Sequence, residues 1–180
     1  KYKILKIGSF KYDNWRQNIL TNKFFGTTAK KSILYVMTDH FEKDKEYEAF
    51  FLQEMVNKYP TNFVVCPPSR DSHNFFYKNN NFKKFEKFFD FENSLLVLSQ
   101  NADIFLTTIS GGVIDGIYKL KPIIFLKFLI KNKNKNYRKL VFDDYDCFGI
   151  THDLKNFYKL LERIQNKKFL TLSKKKKYVD

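Results

Sequence analysis

The chain has 180 residues, a length that favours a single domain, since domains average about 150 residues. Hydrophobic residues make up 43% and charged ones 29%, enough apolar material for one core and a composition that excludes a disordered chain. The net charge of +14 favours a polyanion, an acidic membrane surface or a phosphorylated ligand as partner. Lys, Asn, Phe, Ile and Tyr are abundant together, as in chains encoded by AT-rich genes, so part of the lysine excess is compositional.

No apolar run approaches the roughly 20 residues that cross a bilayer. The longest, 122–130, is interrupted by Lys127. The segment 1–5 lacks the apolar stretch and small-residue cleavage site of an export signal, which gives a cytoplasmic expectation. Cys66 and Cys147 stand far apart with no CxxC, so neither a zinc site nor a disulfide framework is implied and no metal site is expected.

In chain order, 3–7 is a short apolar strand ended by Gly8, and Asp13 is placed to cap a helix over 14–20. A polar connector over 22–31 leads to 32–38, a continuous run of β-formers that reads as a strand covered on both faces. Tyr47, Phe50, Phe51, Met55 and Val56 recur at helical spacing until Pro60 ends the segment. A second buried strand at 62–66 stops at Pro67-Pro68 before a polar loop over 69–74. The aromatic stretch 82–91 fits a helix with a phenylalanine face, and equally a helix running into a short strand. Its phenylalanines 82, 85, 88, 89 and 91 are expected in the core.

A leucine-rich helix over 94–101, a strand over 103–108, a helix over 110–119 and a strand over 122–126 follow. The lysine- and asparagine-rich stretch 127–139 reads as a surface loop, 146–150 as a short strand and 153–164 as a helix. The alternation of strands and helices predicts an α/β, Rossmann-like three-layer domain with a mainly parallel sheet over 1–166, followed by a basic tail over 167–180. Ligands of such sheets bind outside the carboxyl ends of the strands, which directs attention to 8–13, to Thr38, Asp39 and His40, to 67–73, to 109–115 and to the chain from Lys127 onward.

The most informative of these segments is Thr107-Thr108-Ile109-Ser110-Gly111-Gly112-Val113-Ile114-Asp115. A hydroxyl and two glycines stand where a strand hands over to a helix, whose unpaired N–H groups and positive dipole end suit a phosphate. Asp115, about one turn further on, is placed to accept hydrogen bonds from vicinal hydroxyls such as those of a ribose. The same residues also fit a purely structural role, with Ser110 as a cap, the glycines allowing close packing and Asp115 offsetting the helix dipole. No P-loop and no complete GxGxxG is present.

The stretch 94–126, with Ala102-Asp103 before a strand, Ser110-Gly111, Asp115 and Lys121-Pro122-Ile123-Ile124, resembles the donor-binding C-terminal half of GT-B glycosyltransferases. Within that group it is most similar to the CDP-glycerol glycerophosphotransferases and the capsule and teichoic-acid polymerases. Gly8 to Asp13 resembles the Gly-x-x-Arg-x-Asp segment that opens their second domain, with Lys11 in the arginine place, and Gly149-Ile150-Thr151 resembles their closing strand. Two positions depart from the pattern. Pro67-Pro68 stands where the polymerases tend to carry His-Pro, leaving Arg70 and His73 nearby, and Thr108 replaces a frequent acidic residue.

The resemblance implies binding of a nucleotide-diphosphate donor, CDP- or UDP-linked, and transfer of a glycosyl or glycerophosphate group to a surface-polymer acceptor, with no further cofactor. Ser110, Gly111, Gly112, Asp115, Thr38 and Asp39 are the expected donor-binding residues; His40, Arg70 and His73 are the candidates for catalysis. His152 is expected at the surface. A GT-B site lies between two domains, so an N-terminal acceptor domain absent from this chain is expected. Attachment of the basic run 174–177 to the inner face of an anionic membrane is a further expectation. A UDP-sugar epimerase and a non-catalytic nucleotide- or polyanion-binding module are the alternatives. Nucleic acid is not an expected partner, since no helix joins a basic face to base-reading residues.

Overall fold

A computed structural model describes residues 31–38, 44–108, 121–130 and 148–166. The strand expected at 3–7, the helices at 14–20 and 110–119, Cys147 and the basic tail lie outside the described residues, as do Asp39, His40, Ser110, Gly111, Gly112 and Asp115.

Among the described residues five strands form one sheet: β1 (Ile33–Val36), β2 (Phe63–Cys66), β3 (Ile104–Thr107), β4 (Ile123–Leu126) and β5 (Phe148–Thr151). Their order is β2-β1-β3-β4-β5 and every pairing is parallel. This is the α/β Rossmann-like sheet expected from the sequence. The central strands are apolar without alternation because both faces are covered. Ile33 and Tyr35 of β1 pack into one core, and Leu34 and Val36 into the other, as the two-residue repeat of a strand requires.

Among the described residues four α-helices accompany the sheet: α1 (Lys45–Lys58), α2 (Ser72–Lys78), α3 (Leu95–Asn101) and α4 (Leu154–Gln165). Each begins at a side-chain cap: Asp44, Asp71, Ser94 and Asp153 accept from the backbone N–H groups of Tyr47, Asn74, Val97 and Asn156. Helices α1, α2 and α4 bury their apolar faces on the first core and α3 buries Leu98 on the second. The split follows from the chain path. The connection from β1 to β2 runs one way along the sheet and that from β2 to β3 runs back across β1, so right-handed crossovers place α1 and α3 on opposite faces.

Several local readings change. The polar loop expected over 69–74 is helical from Ser72; its polarity reflects an exposed first turn capped by Asp71, while Phe75 and Phe76 anchor the second turn. The aromatic stretch is a 3-10 helix over Asn80–Phe88 followed by a parallel bridge between Phe89 and Val65, which combines both readings of that segment. Phe82, Phe85, Phe88 and Phe89 are buried in the core as expected, and Phe91 packs against it. Phe50 lies outside the buried stripe of α1, which runs through Glu48, Phe51, Leu52 and Met55; it is 48% exposed and stacks on Tyr47. The loop expected from Lys127 opens with a short 3-10 turn, Lys127–Leu129, that buries Leu129 completely.

Candidate functional site at the carboxyl edge of the sheet

The two edges of this sheet are built for different purposes. At the amino edge, Ser32 and Asp103 lock β1 to β3. The Ser32 backbone N–H donates to Asp103 Oδ2 at 2.9 Å, the single Ser32 hydroxyl proton is shared between the same oxygen at 2.9 Å and the Asn101 carbonyl at 2.8 Å, and the Asp103 N–H donates to Ser32 Oγ at 3.0 Å. Asp103 of the Ala-Asp step is therefore a strand-entry clamp at the edge opposite the candidate site.

At the carboxyl edge the chain leaves β1 toward β2 on one side, while β3 continues the sheet on the other. The gap between β1 and β3 is the switch point at which sheets of order 2-1-3-4-5 open a ligand crevice. Thr38, just past β1, and Thr108, just past β3, meet there with their hydroxyl oxygens 2.8 Å apart. Thr108 is buried, Thr38 half-buried. Thr107 donates to the Val36 carbonyl at 3.3 Å and Thr151 to the Phe125 carbonyl at 2.9 Å, so these two hydroxyls close the strand ends on themselves. Among the described threonines of this edge, Thr38 is the one left partly open to solvent.

The charges at this edge are sorted by role. Asp71 and Asp153, which follow β2 and β5, are engaged as helix caps, Asp153 also accepting from the Asn156 side-chain amide at 2.7 Å. The cationic or potentially cationic residues after the strands are Arg70, Lys127 and His152. Arg70 is exposed, and its guanidinium donates to the Asp90 carbonyl at 3.1 Å and to Cys66 Sγ at 3.7 Å, which holds it beside the end of β2. His73 is exposed on the first turn of α2, and His152 is exposed after β5. Arg70 follows β2 and Lys127 follows β4, the strands on either side of the β1–β3 pair, while the carboxylates of Asp71 and Asp153 are occupied as caps, an arrangement that suits an anionic ligand better than a cationic one. No group of three or more metal-ligating side chains occurs among the described residues.

Of the sequence-derived site residues, Thr38 therefore stands at the switch point, while Arg70 and His73 stand at the β2 side. Thr38 shares no hydrogen bond with either among the described residues. Its partnership with Thr108 was missed, because it joins positions 70 residues apart whose adjacency depends on β1 pairing with β3. The available signal was a threonine just past each of two apolar strands.

No protein-family model matches the chain, and no curated protein matches it. Solved structures do. One described as the wall teichoic acid polymerase TagF superposes with a TM-score of 0.52 at 18% identity, covering 84% of this chain and 37% of that one. A variant of the same polymerase gives a TM-score of 0.50 at 18% identity, over 84% of this chain and 37% of that one. The chain spans 37% of the length of these polymerase structures. Among the described residues no helix is long and apolar enough to cross a membrane. The likeness is one of fold: the chain shares a Rossmann-like α/β architecture with part of these polymerase structures.

Proposed function

We propose that this chain is the donor-binding half of a GT-B-type transferase. It binds a nucleotide diphosphate at the carboxyl edge between β1 and β3 and presents the attached glycosyl or glycerophosphate group to a hydroxyl of a surface-polymer acceptor. The observation that carries the reading is the switch point itself. Thr38 and Thr108 mark its floor, and the Ser110-Gly111-Gly112 step and Asp115 follow Thr108 within one short stretch of chain. The shared fold with a wall teichoic acid polymerase supports the same assignment.

In this reading the backbone N–H groups of 110–112 and the Ser110 hydroxyl hold the phosphates and offset the negative charge that grows on the departing nucleotide as the bond to the donor group breaks. Asp115 accepts hydrogen bonds from the ribose hydroxyls, and Thr38 orients the phosphate nearest the sheet. Arg70 adds positive charge from the β2 side. The acceptor, and the base that takes the acceptor's proton, come from a second domain.

The test is a thermal-shift panel of CDP, UDP and GDP on the full chain. Stabilisation by one of them at saturating concentration is expected, amounting to about 2.7 kcal/mol at a hundredfold excess over Kd. Ser110→Ala and Asp115→Ala are each expected to reduce that stabilisation while leaving the ligand-free melting temperature within a few degrees. Equal stabilisation of both variants and the parent would refute the assignment.

A further inference from the structure

Between α2 and the 3-10 helix over Asn80–Phe88 lies an open hollow of about 540 Å³, lined by Ser72, His73, Phe76, Tyr77, Lys83 and Glu86, with Asn80 at its side. Its size falls within the roughly 300–1,000 Å³ typical of small-molecule sites. Phe76 is buried, whereas Tyr77 is 81% exposed, and it and Phe50 are the large hydrophobic residues left exposed among the described ones. No side chain among Ser72, His73, Asn80, Lys83 and Glu86 makes a hydrogen bond or ion pair in the described structure, whereas Asp71 caps α2 and Asn79 bridges Lys45 and the Phe75 carbonyl. The hollow thus combines an uncovered aromatic ring with donors and acceptors of both kinds, and Lys83 and Glu86 balance one another in charge.

We infer that this hollow binds a neutral saccharide unit, as a site separate from the nucleotide crevice. A pyranose offers what the lining asks for. Its C–H face carries partial positive charge that is attracted to the negative face of the Tyr77 ring. Its rim of hydroxyls, each both donor and acceptor, can meet the Lys83 ammonium, the Glu86 carboxylate and the Asn80 amide. The balanced charges of Lys83 and Glu86 give a phosphate or other anion no net attraction, and an apolar ligand would take water from the polar rim without replacing its hydrogen bonds. The hollow belongs to the β2 edge of the sheet, since the 3-10 helix runs directly into the bridge between Phe89 and Val65. The β1/β3 switch point lies beyond β1 from that edge.

The experiment is an amide-resolved NMR titration of the full chain with neutral disaccharides of gluco, galacto and N-acetylated type, and separately with glycerol 3-phosphate. Saturable shifts confined to 72–86 are expected with at least one disaccharide. Tyr77→Ala, which removes an exposed ring and leaves the core intact, is expected to weaken that binding by about five- to tenfold, the equivalent of one aromatic contact. Lys83→Ala is expected to weaken it further. Nucleotide stabilisation should be unchanged in Tyr77→Ala, so failure of this site and failure of the donor site are read separately. No shift with any disaccharide, shifts unaltered in Tyr77→Ala, or binding of glycerol 3-phosphate in their place would overturn the inference.

Discussion

The buried contact between Tyr35 and Glu48 sets how α1 sits on the central strand, and it can be probed without altering the packing. Tyr35 is fully buried on β1, its ring lies edge-on to Phe51 at 5.8 Å, and its hydroxyl donates to Glu48 Oε1. Glu48 is 1% exposed on the inner stripe of α1. Tyr35→Phe keeps the ring, the volume and the contact with Phe51 while removing the donor. The expected loss is therefore that of a hydrogen bond to a charged group, about 1.5–3 kcal/mol, without a cavity contribution. For a chain of this size that corresponds to a fall in Tm of roughly 3–12 °C.

Urea denaturation should show a lower midpoint with an unchanged slope, since the surface exposed on unfolding is the same. Removing both partners, as in Tyr35→Phe with Glu48→Leu, should recover part of the loss, because no carboxyl group is then left buried without this donor. A second signature lies in alkali. Burial, and then the charge of Glu48, push the Tyr35 hydroxyl well above its ordinary value. Below about pH 10 the phenol is neutral in both folded and unfolded chains. Above it the unfolded chain ionises first, so stability falls as pH rises toward the folded pKa. Tyr35→Phe should lack this part of the alkaline loss. Unchanged stability in Tyr35→Phe, or a double variant weaker than the sum of the single ones, would refute the reasoning.

Other consequences follow from the two sheet edges. Thr108→Val removes a buried hydroxyl from its 2.8 Å partner and should cost about 0.5–1.5 kcal/mol; a double-mutant cycle with Thr38→Val should return a coupling of similar sign, measured by urea midpoints. Asp103→Ala should cost more, about 1–3 kcal/mol, because Ser32 loses its acceptor for two donors, yet it should leave nucleotide-induced stabilisation intact since it acts at the opposite edge. At Gly149 a Cβ would lie 2.2 Å from Leu160 Cδ2, so Gly149→Ala must turn the half-buried Leu160 side chain to another rotamer; a small loss, about 0.5–1.5 kcal/mol in thermal unfolding, is expected. Tyr158, raised to about 12 by burial and by Glu54, should still be neutral at pH 11, so tyrosinate absorbance measured there should rise on unfolding and drop out of that rise in Tyr158→Phe.

The strands were legible because burial on both faces leaves an unbroken apolar run such as Ile33-Leu34-Tyr35-Val36, which no exposed element imitates. The longer helices α1 and α4 showed in their spacing, and Pro60 marked the end of one of them. Helix α2 was hidden because its first turn is polar and its apolar anchor is only the pair Phe75-Phe76; Asp71 three residues before Asn74 was the cue. The 3-10 helix escaped a clear reading because a three-residue repeat at Phe82, Phe85 and Phe88 fits an α-helical face almost as well. At the site, the positions after each strand could be read, since parallel sheets open there. The meeting of Thr38 with Thr108 could not, because strand order is a property of the whole chain. The exposure of Tyr77 beside buried Phe76 was likewise masked by three consecutive aromatic residues.

The central claim is that an anionic nucleotide settles at the carboxyl edge between β1 and β3. An amide-resolved NMR titration of the full chain with CDP and UDP tests it most directly. Saturable changes at Thr38, Thr107 and Thr108 and through 109–112 are predicted, with Ser32, Asn62 and Asp103 at the opposite edge unmoved. Changes centred on the amino edge, or none at saturating nucleotide, would contradict it.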